Sequence, residues 1–540
     1  MPYIILEKDG KINESTKQHS SLIAEMLSKL RFNGRRLHYL SLLLLLLPLL
    51  FLSSGQSSLM AHDEGLYAWR SRLMLESGDW INPWSEPHHK TPGFYWLLAL
   101  SYKLLGMNEM TVRLPVMIAG MCCLLLVYEI GRIIYGEYLA WLAGAILTGE
   151  FLWVQYARLG TPDMPMMLLV LLAIFCLLQG EREPQKYYFY GFIAGFCLGL
   201  GFLVRSFMII LPTVALFPYL ITENNRHRHL YNPLLYLGYL LGLIPTLVWL
   251  WLSSQRYQAR STGALLNFVV TLGSGDRGNN GLEFYFWNLP LKSFPWCLFA
   301  VLGLILLLRH PLPRYQLLIV GFPLTLFTEL TLFSTRLSHY SLCVYPFIAL
   351  LAAVGLAGLG EITTFRQRVK LSLSYIFGIF GVILFLAGIA AVIIGNGQIP
   401  LYGMVAIAVG GSWLCLLRWQ KYSHQSWIAS WLVATWLGLA VAAVNGFFND
   451  YNPDVKAFIQ QPAIAPILQN HPVHFLPIGG KTAVLLNFYT PHHGKRVDSL
   501  SQLPSHSYVW IPKDLSLTAV PHRVLGNVQT AKLIEVLPPN

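Results

Sequence analysis

Residues 38–69 read HYLSLLLLLLPLLFLSSGQSSLMAHDEGLYAW. From Leu37 to His62 there is no Asp, Glu, Lys or Arg, and the first half of the stretch is almost unbroken leucine. At about 1.5 Å per residue such a run is long enough to cross the roughly 30 Å hydrocarbon layer as a helix. Within lipid a single segment can pair all its own backbone N–H and C=O groups only as a helix. The stretch therefore predicts a membrane-spanning helix, with Asp63 and Glu64 placed where the chain leaves the hydrocarbon.

The same pattern recurs outward from this point. Apolar residues make up 55% of the 540 positions and charged ones only 12%, the reverse of what a soluble chain needs to cover its surface. Apolar stretches near 38–55, 112–131, 138–155, 164–179, 188–204, 207–221, 232–252, 291–308, 315–333, 341–359, 371–394, 401–418 and 427–446 predict thirteen spanning helices. Residues 1–37 carry Lys8, Lys11, Lys17, Lys29, Arg31, Arg35 and Arg36. Their first apolar run starts too late for a cleavable signal peptide, so this segment is expected to stay in the cytoplasm. Alternation then places EREPQKYY, ENNRHRH, RHPLPR, EITTFRQRVK and RWQKYSHQS in the cytoplasm, and each carries Lys or Arg as the positive-inside rule requires. The opposite side receives the loops 56–110 and 253–290, the connectors YARLGTPD, VRSF and FSTRLSHY, and everything after about residue 447. Basic residues on that side run against the insertion bias, and ligand binding is one reason to keep them.

Residues 447–540 differ in composition, being rich in Pro, His and polar residues. The runs VHFLPIGG, TAVLLNFY, SYVWIP and AKLIEVL read as short β-like segments and predict a small soluble α/β domain on the outer side. The expected fold is thus an all-α polytopic membrane domain over 38–446, with about thirteen transmembrane helices and interfacial helices in its first outer loop. An α/β domain follows it.

Several function classes are excluded or disfavoured. The net charge of +12 is spread over many short loops with no basic stripe, which argues against nucleic acid as a partner. Cys122, Cys123, Cys176, Cys197, Cys297, Cys343 and Cys415 lie in or beside apolar runs without zinc-site spacing, so packing is their expected role. No Walker loop, dinucleotide fingerprint, HExxH or GxSxG motif stands in a supporting context, which disfavours soluble nucleotide chemistry.

The polar motifs each admit two readings. Asp63 and Glu64 suit the first turn of a helix, and equally a carboxylate base that accepts a proton from an attacking acceptor. LYAWRSRLMLESGDW and TPGFYWLLALSYKLLG are too polar or too short to span and are expected to lie in the interface plane. Between them stand His88, His89 and Lys90. The His pair is a weak metal candidate, since adjacent residues do not share a face and no third ligand is apparent; Lys90 is a snorkelling lysine or a phosphate contact. Asp163 in RLGTPDMP caps a helix or faces a ligand, with Arg158 nearby to pair with it. Arg205 lies between two apolar runs with almost no loop to solvate it. Arg336 and His339 share a short outer loop, facing phosphate or lipid headgroups. Two separate carboxylates and several cations on one face suit an anionic substrate and a reaction that needs a base.

The stretch DEGLYAWRSRLMLESGDWINPWSEPHHKTPGFYWLLALSYKLLGMNEMTVRLP resembles the first outer loop of GT-C class membrane glycosyltransferases, specifically the bacterial relatives of protein O-mannosyltransferases and aminoarabinose (lipid A) transferases. The landmarks DE, MLESGDW, KTP followed by YWL, and RLP come in the family's order. Further similarity lies in ARLGTPDMP, FLVRSFMIILP, FYFWNLPLKSFPW and SHYSLCVYP, covering most of residues 60–360. The resemblance implies the GT-C fold, a polyprenyl-phosphate sugar donor such as an undecaprenyl phosphate sugar, and an active site facing the periplasm from a bacterial inner membrane. It also implies inversion at the anomeric carbon. By analogy Asp63 is the catalytic base with Glu64 beside it, and Asp163 is a second acidic position near the acceptor, which is a lipid, glycan or protein. Lys90, Arg205, Arg277, and Arg336 with Tyr340 become contacts to the donor phosphate, with Arg158 and His339 auxiliary. Leu66, His89 and Thr91 depart from common family residues, and the long loop lacks a clear His; lipid A specificity and a divalent metal cofactor do not follow from the resemblance. The alternative function is a lipid-linked sugar flippase, which would place its site at mid-membrane between repeat halves, and no internal repeat is evident.

Overall fold

The computed structural model describes residues 34–84, 90–274, 280–360, 364–419, 423–448, 450–515 and 520–538. Among them nine helices are long and apolar enough to cross a bilayer: Gly34–Phe51, Glu109–Tyr135, Asp163–Arg182, Pro184–Ala215, Pro233–Tyr257, Ser338–Gly358, Arg366–Ile394, Ile399–Arg418 and His424–Val444. A tenth forms if Phe284–Lys292 and Trp296–Arg309, bent by 109°, count as one span. The stretches expected near 138–155 and 315–333 appear as shorter apolar helices, Glu137–Leu147 and Leu317–Leu332. In the first of these the helix ends at Thr148 and a separate helix, Phe151–Tyr156, follows. The Gly149 carbonyl freed by the break accepts from the Trp296 indole at 3.1 Å. The stretch 207–221 is broken into Ile210–Ala215 and Phe217–Thr222, where Pro212 and Pro218 each lack a backbone donor.

Helices 187–205 and 233–257 approach closely through two Gly-xxx-Gly pairs. A Cβ at Gly195 would meet the Leu235 carbonyl oxygen at 1.9 Å, and one at Gly238 the Phe192 carbonyl oxygen at 2.0 Å. Small residues let backbones touch in lipid, where packing rather than water drives association. This contact fixes the helix that ends in Arg205.

In the loop after the first span, Leu66–Ser77 and Gly93–Leu105 are helices of 12 and 13 residues. Between them Asn82 donates to Ser253 Oγ at 2.7 Å, Trp249 donates to the Ile81 carbonyl at 3.0 Å, and Asp79 pairs with Arg256. These bonds tie the loop to the 233–257 helix. The side chain of Asn108 and that of Thr111 cap each other's backbone and start the next span.

The C-terminal region forms a five-stranded sheet in the order β2-β1-β3-β5-β4, with β1 Val473–Phe475, β2 His493–Arg496, β3 Tyr508–Pro512, β4 His522–Val528 and β5 Ala531–Val536. β1 is parallel to β2 and β3, while β5 is antiparallel to β3 and β4. TAVLLNFY, expected as β-like, is instead part of the helix Gly480–Tyr489. Two parallel strands need a crossover, and a short apolar run buried on all sides reads alike as strand or helix. Val484, Leu485, Leu486 and Phe488 are all buried, wedged between the sheet and the segment that carries Asp63. Arg72, itself buried, donates to the Asn487, Phe488, Thr490 and Pro491 carbonyls and so satisfies the C-terminal end of that helix.

Candidate active site

Ala61–Gly65 forms a wide helical turn that runs directly into the 66–77 helix, so Asp63 and Glu64 lie within a helix rather than capping it with their side chains. The two carboxylates part at once. Glu64 is fully buried and accepts from Arg113 Nε at 2.8 Å, Arg113 Nη2 at 3.0 Å, the Met60 amide at 3.0 Å and the Gly160 amide at 3.0 Å. Arg113 spends its other donors on the carbonyls of Ser54, Ser57 and Ser58. Glu64 was expected beside the base as a catalytic carboxylate, but its lone pairs are committed to this knot. It binds the Asp63 turn to the Gly160–Asp163 turn and, through Arg113, to the end of the first span. The Asp63 carboxylate, only part-buried, accepts no hydrogen bond among the described residues.

Asp163 and Arg205 meet at 2.9 Å between Oδ1 and Nη2, both shielded, and Arg205 Nη1 donates to the Tyr67 hydroxyl at 3.2 Å. Arg205 Nε is buried without a partner among the described residues. The residue after Arg205, Ser206, has φ 54°, a left-handed conformation that costs energy at a non-glycine position and recurs at functional turns. Lys90 Nζ lies over the Tyr67 ring, 4.4 Å from its centroid. Gly93 allows this approach: a Cβ there would meet the Leu203 carbonyl oxygen at 2.6 Å, so the start of the 93–105 helix rests against the helix that carries Arg205.

The electrostatics show how closely these groups are gathered. Burial lowers the Lys90 pKa below the ordinary lysine value; Tyr95 and Asp63 oppose the shift and Arg205 and Arg70 add to it. Burial raises the Tyr67 hydroxyl well above its ordinary value, with Arg205 opposing and Asp163 and Asp63 reinforcing. Burial likewise pushes Tyr95 up to about 12. His339 lies in the field of Asp163, Arg205, Asp63 and Lys90, and stacks on Tyr156 at 5.3 Å between ring centroids. Tyr340 sits edge-on to His339 and within the field of Arg205. The result is a half-shielded basin with three charges drawn together around Tyr67 and one carboxylate left uncommitted.

Two expected residues are used otherwise. Arg158 pairs not with Asp163 but with the carbonyls of Leu49 and Leu52, covering the C-terminal end of the first span, with Phe448 5.5 Å below its guanidinium. A helix C-terminus offers unsatisfied carbonyls and a partial negative charge, and buried Arg158 meets both there. Arg336 donates to the carbonyls of Thr331 at 2.9 Å and Asn280 at 2.8 Å, fastening the 280 loop to the 331–337 turn. Arg277, His88 and His89 lie outside the described residues. Among the described residues no three His, Cys, Asp or Glu side chains gather as a metal site. Sequence reading passed over Arg113, Arg72, Tyr67 and Gly93. Arg113 stands in the RLP landmark, and an arginine inside an apolar run was the signal that could have singled it out.

Residues 89–251 match the family model described as dolichyl-phosphate-mannose-protein mannosyltransferase. Over 462 residues the chain is 27% identical to the undecaprenyl phosphate-alpha-4-amino-4-deoxy-L-arabinose arabinosyl transferase of Pseudomonas aeruginosa (strain UCBPP-PA14), spanning 77% of this chain and 78% of the relative. The fold superposes on ArnT from Cupriavidus metallidurans bound to undecaprenyl phosphate with a TM-score of 0.73 at 20% identity, covering 92% of this chain and 97% of that one. The chain is a membrane glycosyltransferase similar to these GT-C enzymes in sequence and fold. A more distant member of the same fold, the Archaeoglobus fulgidus oligosaccharyltransferase, superposes with a TM-score of 0.50 at 12% identity, over 89% of this glycosyltransferase and 69% of that chain. In this glycosyltransferase the matched family segment contains Lys90, Asp163 and Arg205, three of the charges that the tertiary structure brings together.

Proposed function

We propose that this glycosyltransferase transfers a sugar from a polyprenyl-phosphate donor to an acceptor hydroxyl or amine, at the outer face of a bacterial inner membrane. The observation that carries the reading is the uncommitted Asp63 carboxylate beside two shielded cations, Lys90 and Arg205. The relatives named as undecaprenyl phosphate aminoarabinose transferases support the donor class. In the step, the acceptor heteroatom bonds to the anomeric carbon while the bond from that carbon to the phosphate oxygen breaks. The phosphate departs with the electron pair, and Asp63 takes the acceptor's proton and later releases it to water. Attack from the face opposite the leaving group inverts the anomeric carbon. Lys90 and Arg205 supply fixed positive charge where the phosphate gains negative charge, and they do so in a water-poor site where such charge counts most. Asp163 holds Arg205 in place, and Tyr67 lies between the two cations.

The test follows a radiolabelled sugar from purified undecaprenyl-phosphate donors to cell-envelope acceptors in proteoliposomes. Label should move covalently to acceptor with the native protein and stay on the donor with Asp63→Asn. Undiminished transfer by Asp63→Asn would overturn the base assignment. Donor crossing the vesicle without any transfer would instead establish a flippase.

A further inference from the structure

A second cavity lies on the far side of the 66–77 helix from the charged basin. Tyr67 faces the basin, and Trp69, two residues on, is turned about 200° round the helix axis toward the C-terminal sheet. There Trp69 closes a cavity of about 280 Å³ lined by Phe475, Pro477, Asn487, Arg496 and Asp498, among others. The cavity lies at the carboxyl ends of β1 and β2, which are adjacent and parallel and whose outgoing connections leave on opposite faces of the sheet. After β1 the chain enters the 480–489 helix on the sheet face that bears Trp510 and Leu533; after β2 it runs through Leu500 on the face that bears Val509, Ile511 and Ile534.

The lining chemistry selects the occupant. The Arg496 guanidinium lies 5.6 Å from the centre of the Trp69 ring, and its Nη2 donates to Asn487 Oδ1 at 3.2 Å. Trp69 Nε1 is a shielded donor with no acceptor among the described residues. An indole, a guanidinium, an amide and a carboxylate at the mouth of a mostly apolar pocket suit a ring with one apolar face and several hydroxyls. The volume matches a single such ring, at the lower edge of small-molecule sites.

We infer that the cavity between Trp69 and the carboxyl ends of β1 and β2 binds a saccharide unit of the acceptor, across the 66–77 helix from Asp63. This rests on the sugar-transfer reading above. It adds that the acceptor has several units, enough to run round the 66–77 helix, about 10–12 Å across, from this cavity to the nucleophile at Asp63.

The test uses the full-length protein in detergent, loaded with undecaprenyl phosphate. Saturation-transfer NMR is recorded with methyl glucoside, methyl mannoside, glucosamine and glucosamine 6-phosphate. At least one probe should receive saturation, and Arg496→Gln and Trp69→Leu should each weaken its binding about tenfold, the scale expected when a charged or buried hydrogen-bond partner is lost. Trp69→Phe, which keeps a ring and removes only Nε1, should have a smaller effect and covers the case in which Trp69→Leu misfolds. Undecaprenyl phosphate binding should stay unchanged in all three. No saturation of any probe, or saturation unaffected by Arg496→Gln and Trp69→Phe, overturns the inference. Because sugar binding is read without turnover, an active Asp63→Asn enzyme would sink the proposed base and leave this result standing.

Discussion

Glu64 and Asp63 are adjacent, yet one anchors a dry structural knot and the other opens on the charged basin. Glu64 accepts four hydrogen bonds, two of them from Arg113, which itself donates to three carbonyls. Around Asp63 the charges are gathered but incompletely matched: Asp163 pairs with Arg205, Lys90 rests on an aromatic face, and the Asp63 carboxylate accepts no hydrogen bond among the described residues. The contrast teaches that chemical type does not separate structural from reactive carboxylates. What separates them is whether the fold has already used their lone pairs, since a group with satisfied lone pairs has nothing left to offer a substrate.

The largest test of that contrast removes one charge from each region. Asp63→Asn should lower transfer by about 10²–10⁴-fold, the usual worth of a general base, with an unchanged thermal midpoint. Glu64→Gln should do the reverse, lowering stability by roughly 3–5 kcal/mol in detergent unfolding because the buried Arg113 charge loses its carboxylate. Equal stability losses in the two variants would erase the distinction. Asp163→Asn sharpens the picture inside the basin. It removes a carboxylate that competes with phosphate for Arg205, so affinity for undecaprenyl phosphate should rise, by about tenfold for charges at this range, while transfer falls as Arg205 loses its orientation. Weaker phosphate binding would show that Asp163 helps the anion rather than opposing it.

The smallest effect concerns pH. Burial lowers the Lys90 pKa, so as pH rises its positive charge is lost earlier than an ordinary lysine's, and phosphate binding should fall on the alkaline side. Lys90→Arg, whose guanidinium stays charged, should move that fall to higher pH. An alkaline limb that ignores this substitution would assign it to another group.

Hydropathy located the bilayer-crossing segments because the cost of burying unpaired backbone in lipid is local and can be read one segment at a time. It misjudged 138–155 and 207–221, where the break at Thr148–Glu150 and Pro212 with Pro218 interrupt the helices without making the residues less apolar. The apolar run TAVLLNFY was equally opaque, since only the parallel pairing of β1 and β2 demands that it be a helix. Among the candidate site residues, Asp63, Lys90, Asp163 and Arg205 were legible as charges that a membrane chain would not keep idly. Arg158 and Arg336 carried the same signal and proved to hold carbonyls.

The sequence by itself determined a membrane fold, a C-terminal region of different composition and a set of costly charges. Only the tertiary structure decided which of those charges meet. Arg205 reaches Asp163 and Tyr67 across 42 and 138 positions of chain, Arg113 reaches Glu64 across 49, and Arg158 turns away to Leu49 across 109. Hydrophobicity is a property of each segment alone, whereas the pairing of a charge depends on distances that helix packing sets between segments far apart in the chain.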